Sequence, residues 1–223
     1  MENFDYAHRN TGRTSLPGAT FSASLVRGAW SKELDEARKD AMRREIPVAD
    51  DESLQYLLCT AVASGAKRIL EIGTAVGLSA TALLQALPAA RITTIESDEN
   101  FYTEAKRNFV KFGVSERVQA YLGDAGEILA MMDGKFDFVF LDGPKAQYIA
   151  YLPEIKRMLV SGGVLFADDV LLYGWVSGEV PCPAKRQSIV RKIREYLLAV
   201  TDDAAWITSV VNIGDGVALS VKR

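Results

Sequence analysis

The segment Arg68-Ile-Leu-Glu-Ile-Gly-Thr-Ala-Val-Gly77 reads as a short apolar strand running into a glycine-bearing turn and then a helix. The next apolar run, Arg91-Ile-Thr-Thr-Ile-Glu96, closes on an acid. A strand, a turn, a helix and a second strand ending in a carboxylate suit a nucleoside cofactor lying across the carboxyl ends of parallel strands. The glycines let backbone approach the ligand, and the carboxylate accepts hydrogen bonds from ribose hydroxyls. Residues 73–78, Gly-Thr-Ala-Val-Gly-Leu, lack the middle glycine that a dinucleotide pyrophosphate needs. Glu71 would repel a phosphate but could balance a cationic ligand. The stretch therefore favours S-adenosylmethionine over NAD.

Outward from this stretch the chain alternates strand and helix. Strands are expected at 68–72, 91–96, 117–122, 136–141 and 163–168, each followed by a helix, at 77–87, 99–112, 125–132, 147–159 and 184–200. Strands 205–212 and 216–222 flank Gly214-Asp-Gly216, a hairpin signal. Continuous apolar runs such as Phe136-Asp-Phe-Val-Phe-Leu141 fit strands covered on both faces by helices. Upstream, residues 1–21 are polar and mixed, and His8, the single histidine, gains no role. Helices are expected over 22–45 and from the caps at 50–53 to Ser64, with Ile46-Pro47 as a break. We divide the chain into a lead-in and helix, 1–45, and a cofactor-binding domain, 46–223. The stripe Leu25, Val26, Ala29, Trp30, Leu34, Ala37 and Ala41 on the first helix suggests a homodimer, because it needs a cover.

The 223 residues suit one sizeable core. With 26 Lys and Arg against 29 Asp and Glu, no global charge draws the chain to nucleic acid or an anionic membrane. Cys59 and Cys182 have neither metal nor redox spacing, and Cys59 is expected in the core. No apolar run approaches membrane-spanning length and no leader is seen, so the expected setting is cytoplasmic, without membrane partners.

Together, Glu71-Ile-Gly-Thr-Ala-Val-Gly77, Glu96, Gly123-Asp-Ala125, Leu141-Asp-Gly-Pro-Lys145 and Gly162-Gly-Val-Leu-Phe-Ala-Asp-Asp169 resemble the class I metal-dependent O-methyltransferases. That family includes catechol and caffeoyl-CoA O-methyltransferases and a bacterial branch that methylates 5-hydroxyuridine in tRNA. The resemblance implies a Rossmann-like α/β fold, a seven-stranded sheet of order 3-2-1-4-5-7-6 with strand 7 antiparallel, and helices on both faces. Lys185-Arg186 followed by Gln187-Ser-Ile189 is most similar to the bacterial branch. The resemblance puts Glu71, Gly73 and Gly77 at the cofactor turn and Ser79 near the cofactor carboxylate. It puts Glu96 on the ribose, Asp124 with Ala125 near the adenine, and the backbone of Val48 in the same pocket. Asp142 would border both cofactor and metal.

Asp142, Asp168 and Asp169 each fall at a strand's carboxyl end, where they would repel one another unless a cation stood between them. Oxygen ligands select a hard ion, most simply Mg²⁺. The family pattern has Asp-Asn where this chain has Asp168-Asp169, which opens Mn²⁺ or Ca²⁺ as alternatives. Such an ion lowers the pKa of a substrate hydroxyl. Lys145 stands where the family places its general base, and its pKa is expected to be depressed by the metal and the sulfonium.

Each reading has a plainer counterpart. Asp142 could cap a helix, Asp168 and Asp169 could be solvated, and Lys145 alone reads as a surface lysine. Lys185, Arg186, Arg191, Lys192 and Arg194 could grip tRNA phosphates or form a solvated face. Tyr173 and Trp175 could stack on a planar substrate or pack over the sheet end. The functions in play are O-methylation of 5-hydroxyuridine in tRNA, O-methylation of a small catechol-like aromatic, and nucleoside binding without catalysis.

Overall fold

The computed structural model describes residues 25–26 and 28–223. The polar lead-in, His8 and residues 22–24 of the expected first helix lie outside the described residues. Seven strands form one sheet: β1 (Arg68–Ile72), β2 (Arg91–Glu96), β3 (Val118–Leu122), β4 (Phe136–Leu141), β5 (Leu159–Ala167), β6 (Trp206–Val211) and β7 (Val217–Lys222). Their order is β3-β2-β1-β4-β5-β7-β6, with β1 to β5 parallel and β7 antiparallel to both neighbours, as expected.

Strand alternation sends neighbouring side chains to opposite layers. Ile69, Ile92, Phe138, Phe140 and Phe166 face one core, shared with helices α1 (Lys32–Arg43), α2 (Asp51–Ala63), α3 (Leu78–Ala86) and α4 (Glu99–Lys111). Leu70, Ile72, Val139, Leu141 and Leu165 face the other, shared with α5 (Ala125–Met131), α6 (Tyr148–Met158) and α7 (Gln187–Asp202). Fully buried parallel strands thus read as unbroken apolar runs, and both faces carry helices.

The first helix is shorter than expected. It begins at Lys32, because Ser31 stays extended and its side chain accepts a hydrogen bond from the Leu34 amide at 3.2 Å. Part of its stripe has a cover within the chain, while Leu25 and Ala29 are exposed. Leu34 and Ala41 are buried in the same core as the sheet, and Ala37 and Trp30 pack against it. Leu34, Ala37 and Ala41 therefore need no partner chain as a cover. Arg38 is buried on this helix, and its Nη2 holds Ala49 O at 2.7 Å and Asp51 Oδ1 at 2.7 Å.

Two further expectations change. Cys59 is exposed, because the core side of α2 is taken by Leu54, Leu57, Leu58 and Ala61. β5 begins at Leu159, directly after α6, where Leu159 pairs with Phe136 before the register shifts ahead of Val164. The strand expected at 163–168 thus starts earlier, with Gly162-Gly163 at an irregularity inside it. Among the described residues no helix is long and apolar enough to cross a membrane.

Candidate active site

A cavity of about 460 Å³ lies over the carboxyl ends of β1, β2, β4 and β5. Of the residues picked from sequence, Val48, Gly73, Glu96, Asp124, Ala125, Asp142, Lys145, Asp169, Tyr173, Trp175 and Arg186 line it. The order of the sheet explains the convergence: β1 sits between β2 and β4, so the turns after three neighbouring strands open onto one space.

At the β1 end, Gly73 has φ +99°, and a Cβ there would stand 2.5 Å from Asp142 O. Only glycine lets the β1 turn lie this close to the end of β4. Glu71, just before it, is fully buried. Thr94 donates to its Oε2, while Oε1 has no hydrogen-bond partner among the described residues. Burial pushes the Glu71 carboxyl up to about 8; the Thr94 hydrogen bond opposes this, and Asp142 and Glu96 add to it. A buried, half-satisfied carboxyl beside this turn is short of positive charge.

Glu96 is held by three backbone amides. Its Oε2 accepts from Ala75 N at 2.7 Å, and its Oε1 accepts from Ser97 N and Asp98 N, both at 2.8 Å. The carboxylate is thereby fixed at the cavity wall, where its remaining lone pairs suit a pair of ribose hydroxyls. Asp124 caps α5 through Glu127 N at 3.1 Å and lines the cavity with Ala125.

At the β4 and β5 ends, Lys145 Nζ donates to Asp142 Oδ1 at 2.6 Å and to the Tyr148 hydroxyl at 2.9 Å, and stands 3.3 Å from Asp169 Oδ2. Burial by itself would lower the Lys145 pKa. The facing Asp142, Tyr148, Asp169 and Asp168 nevertheless hold it well above its ordinary value. The chain's own groups thus act against the depression expected from sequence, and only added positive charge could reverse them. Asp168 is 2% exposed, and its Oδ1 accepts from the Asp169 amide at 2.9 Å. Burial raises its carboxyl well above the usual range, and Asp169 and Asp142 add to that.

Asp169 itself has φ +56°, a left-handed conformation that Asn and Asp tolerate best among residues with a Cβ. This backbone conformation admits Asp as it admits Asn, and nothing in the structure explains the choice between them. Among the described residues no three His, Cys, Asp or Glu side chains are grouped as metal ligands; the cation shared by these carboxylates is the Lys145 ammonium. Three carboxylates on adjacent strand ends, one nearly fully buried, nonetheless have the donor chemistry of a hard-cation site.

The outer wall is aromatic and apolar. Tyr173 and Trp175 meet edge to face, with centroids 5.1 Å apart. Leu172, Ile189 and Arg186 complete that side. Arg194 donates from Nε to Val176 O at 2.9 Å and so pins the loop to α7, while Arg191 lies 3.9 Å from Glu195. Arg194 of the basic run therefore serves the fold, whereas Arg191 stays on the exposed face of α7.

Some expected residues stand elsewhere. Gly77 precedes α3 with φ +79°, and a Cβ there would meet Phe109 at 2.7 Å, so it sets the approach of α4. Glu71, Ser79 on the first turn of α3, Asp168 and Lys185 are also outside the lining. The sequence reading missed Ala75, Ser97, Phe101, Tyr151 and Asp215, which line the cavity. Ala75, inside the Gly73–Gly77 turn, and Ser97, directly after Glu96, had a local signal. Phe101 and Tyr151 lie inside helices, where nothing local marks a cavity wall, and Asp215 reaches the site only because the β6–β7 hairpin meets the loop after β5, with Leu171 N donating to Asp215 O at 2.9 Å.

A family described as O-methyltransferase matches residues 22–223. The caffeoyl-CoA O-methyltransferase of Populus kitakamiensis is 30% identical over 182 residues, which is 78% of this chain and 76% of that one. A Staphylococcus aureus structure provisionally named a caffeoyl-CoA O-methyltransferase is 29% identical, with a TM-score of 0.83, over 92% of this chain and 98% of its own. TomG of Streptomyces achromogenes, an O-methyltransferase of tomaymycin synthesis solved with S-adenosylmethionine, is 26% identical with a TM-score of 0.77, over 91% of this chain and 94% of its own. With the family match spanning nearly the whole length and the fold and cavity in agreement, the chain belongs to the O-methyltransferase family.

Proposed function

We propose that this chain transfers the methyl group of S-adenosylmethionine, with the help of a divalent cation, to a hydroxyl beside a second oxygen on a small catechol-like aromatic. One observation carries the reading: a single cavity joins the Gly73, Glu96 and Asp124 wall to the Asp142, Lys145 and Asp169 cluster and to the Tyr173–Trp175 pair. Nucleoside chemistry at one end and proton chemistry at the other are what methyl transfer from a nucleoside donor requires.

The donor supplies the methyl on a sulfonium; the acceptor oxygen gains the new carbon–oxygen bond as the carbon–sulfur bond breaks. Glu71, buried and missing a partner at Oε1, balances positive charge at the amino-acid end, and Glu96 holds the ribose. Asp142, Asp168 and Asp169 would hold the cation, most simply Mg²⁺, whose charge lowers the pKa of the acceptor hydroxyl and of Lys145. Lys145 takes the acceptor's proton at Nζ. Tyr173, Trp175, Leu172 and Ile189 exclude water and press the ring into line, where correct orientation removes much of the entropic barrier.

A 5-hydroxyuridine base of tRNA is the competing acceptor, favoured by Arg186 at the cavity wall. The engagement of Arg194 with the loop after β5 removes one cation of α7 from phosphate contact. Labelled S-adenosylmethionine offered with Mg²⁺ to a catechol and to tRNA carrying 5-hydroxyuridine separates the readings. Label on the catechol alone is expected. Label on the tRNA alone would replace the acceptor, and donor binding with neither acceptor labelled would leave a nucleoside-binding module.

A further inference from the structure

We propose that Arg38 is a positioning residue for the methyl donor: its buried guanidinium, itself outside the lining, clamps the Pro47–Ala49 wall of the cavity. The inference rests on the reading of that cavity as the S-adenosylmethionine site. Pro47, Val48 and Ala49 line the cavity, and they belong to the connection between α1 and α2, outside any helix or strand. Such a segment has no ladder of its own, and Pro47 brings no N–H, so side chains must help to fix it. Arg38 does so. Its Nη2 carries two hydrogens and has two acceptors, the Ala49 carbonyl and Asp51 Oδ1, each at 2.7 Å.

Burial makes this cation costly. Arg38 is 1% exposed, and its Nε and Nη1 have no hydrogen-bond partner among the described residues. The Trp30 ring, with its centroid 5.1 Å from the guanidinium carbon, offsets part of that cost. For stability alone, an apolar side chain filling the same space would serve as well. What only the guanidinium gives is direction. One nitrogen joins the last residue of the wall, Ala49, to the first residue of α2, Asp51. Between them stands the Asp50 cap, whose side chain accepts from Ser53 N at 2.9 Å. Arg38 also acts from a fixed platform. Ahead of it, Ser31 N donates to Gln85 Oε1 of α3 at 3.0 Å; beyond it, Arg44 holds Glu104 of α4 through two bonds of 2.7 Å. Because α3 follows the Gly73–Gly77 turn and α4 follows Glu96, the clamp shares one frame with the rest of the donor site.

The test measures S-adenosylmethionine affinity by calorimetry, and steady-state rates with catechol, at a temperature where every variant is folded. The calorimetric arm stands whichever acceptor is methylated. Arg38→Met keeps an apolar stem in the space and removes both hydrogen bonds. The expected result is a donor Kd and donor KM higher by about tenfold, with kcat and catechol KM within about twofold. Leu34→Ala, one turn earlier on α1, opens the core without touching the wall; it should lower Tm and leave donor Kd within about twofold. Unchanged donor affinity in Arg38→Met, an equal loss in Leu34→Ala, or a loss falling mainly on kcat would overturn the proposal. Where Arg38→Met does not fold, Asp51→Ala takes its place, because Asp51 is 54% exposed and its loss frees Nη2 to turn. A donor Kd raised by about threefold then supports the clamp, and an unchanged one overturns it. An unmodified chain that binds no S-adenosylmethionine would overturn the proposed function and this inference with it. Failure of the inference alone looks different: the unmodified chain binds the donor, and Arg38→Met binds it as tightly.

Discussion

Single residues carry the sharpest consequences. Gly73→Ala would force a left-handed alanine and drive its Cβ into the Asp142 carbonyl. It should cost ~1–3 kcal/mol of stability and weaken S-adenosylmethionine binding, both readable by thermal denaturation with and without the donor. Glu71 gives the fold a pH dependence. Burial raises its folded pKa from the ordinary 4.5 to about 8, so the folded chain keeps a proton that the unfolded chain releases. The resulting stability is fully present below about pH 4.5 and is lost as pH rises to about 8. Glu71→Gln, which mimics the protonated form, should flatten the fall of Tm across that window; an unchanged slope would assign the fall to other groups. Glu71, Gly73 and Glu96 were legible in sequence because strand ends and glycine turns have local signatures. The Thr74–Thr94–Glu71 chain of hydrogen bonds was not, since Thr93-Thr94 reads only as strand propensity.

Elements were legible where their ends are marked chemically. Asp98 caps α4 by accepting from Asn100 N at 2.8 Å and Phe101 N at 3.1 Å, and the sequence reading starts that helix at Glu99. Asp98→Ala should cost about 1 kcal/mol, measured by urea denaturation. It should also loosen the donor site, because Phe101 on the first turn lines the cavity and Asp98 N donates to Glu96. A loss of stability with unaltered donor affinity would separate the cap from the site. Boundaries failed where tertiary contact overrode local pattern. β5 extends back through Gly162-Gly163 because Leu159 finds Phe136 as a strand partner. Cys59 looked like core because its stretch is apolar nearly all round, and only the packing of α2 decides which face is covered.

At the scale of the molecule, the two layers and the strand order follow from alternating strand and helix plus one closing hairpin. The docking of α1 did not follow, because an apolar stripe says that a cover exists and not where it is. Leu34→Ala removes a fully buried side chain at the junction of α1 with the sheet core and should cost about 2–5 kcal/mol. A cost near zero in urea denaturation would mean that α1 is a detachable appendage. The cavity itself brings together residues from position 47 to position 215, which no local pattern predicts. The central claim is that Asp142, Asp168 and Asp169 serve a divalent cation beside a methyl donor. Methyl transfer to a catechol after EDTA treatment, with donor occupancy checked by calorimetry, tests it most directly. Label should be lost in EDTA, restored by Mg²⁺, and not restored in Asp168→Asn. Labelling that persists undiminished in EDTA while the donor stays bound would contradict it.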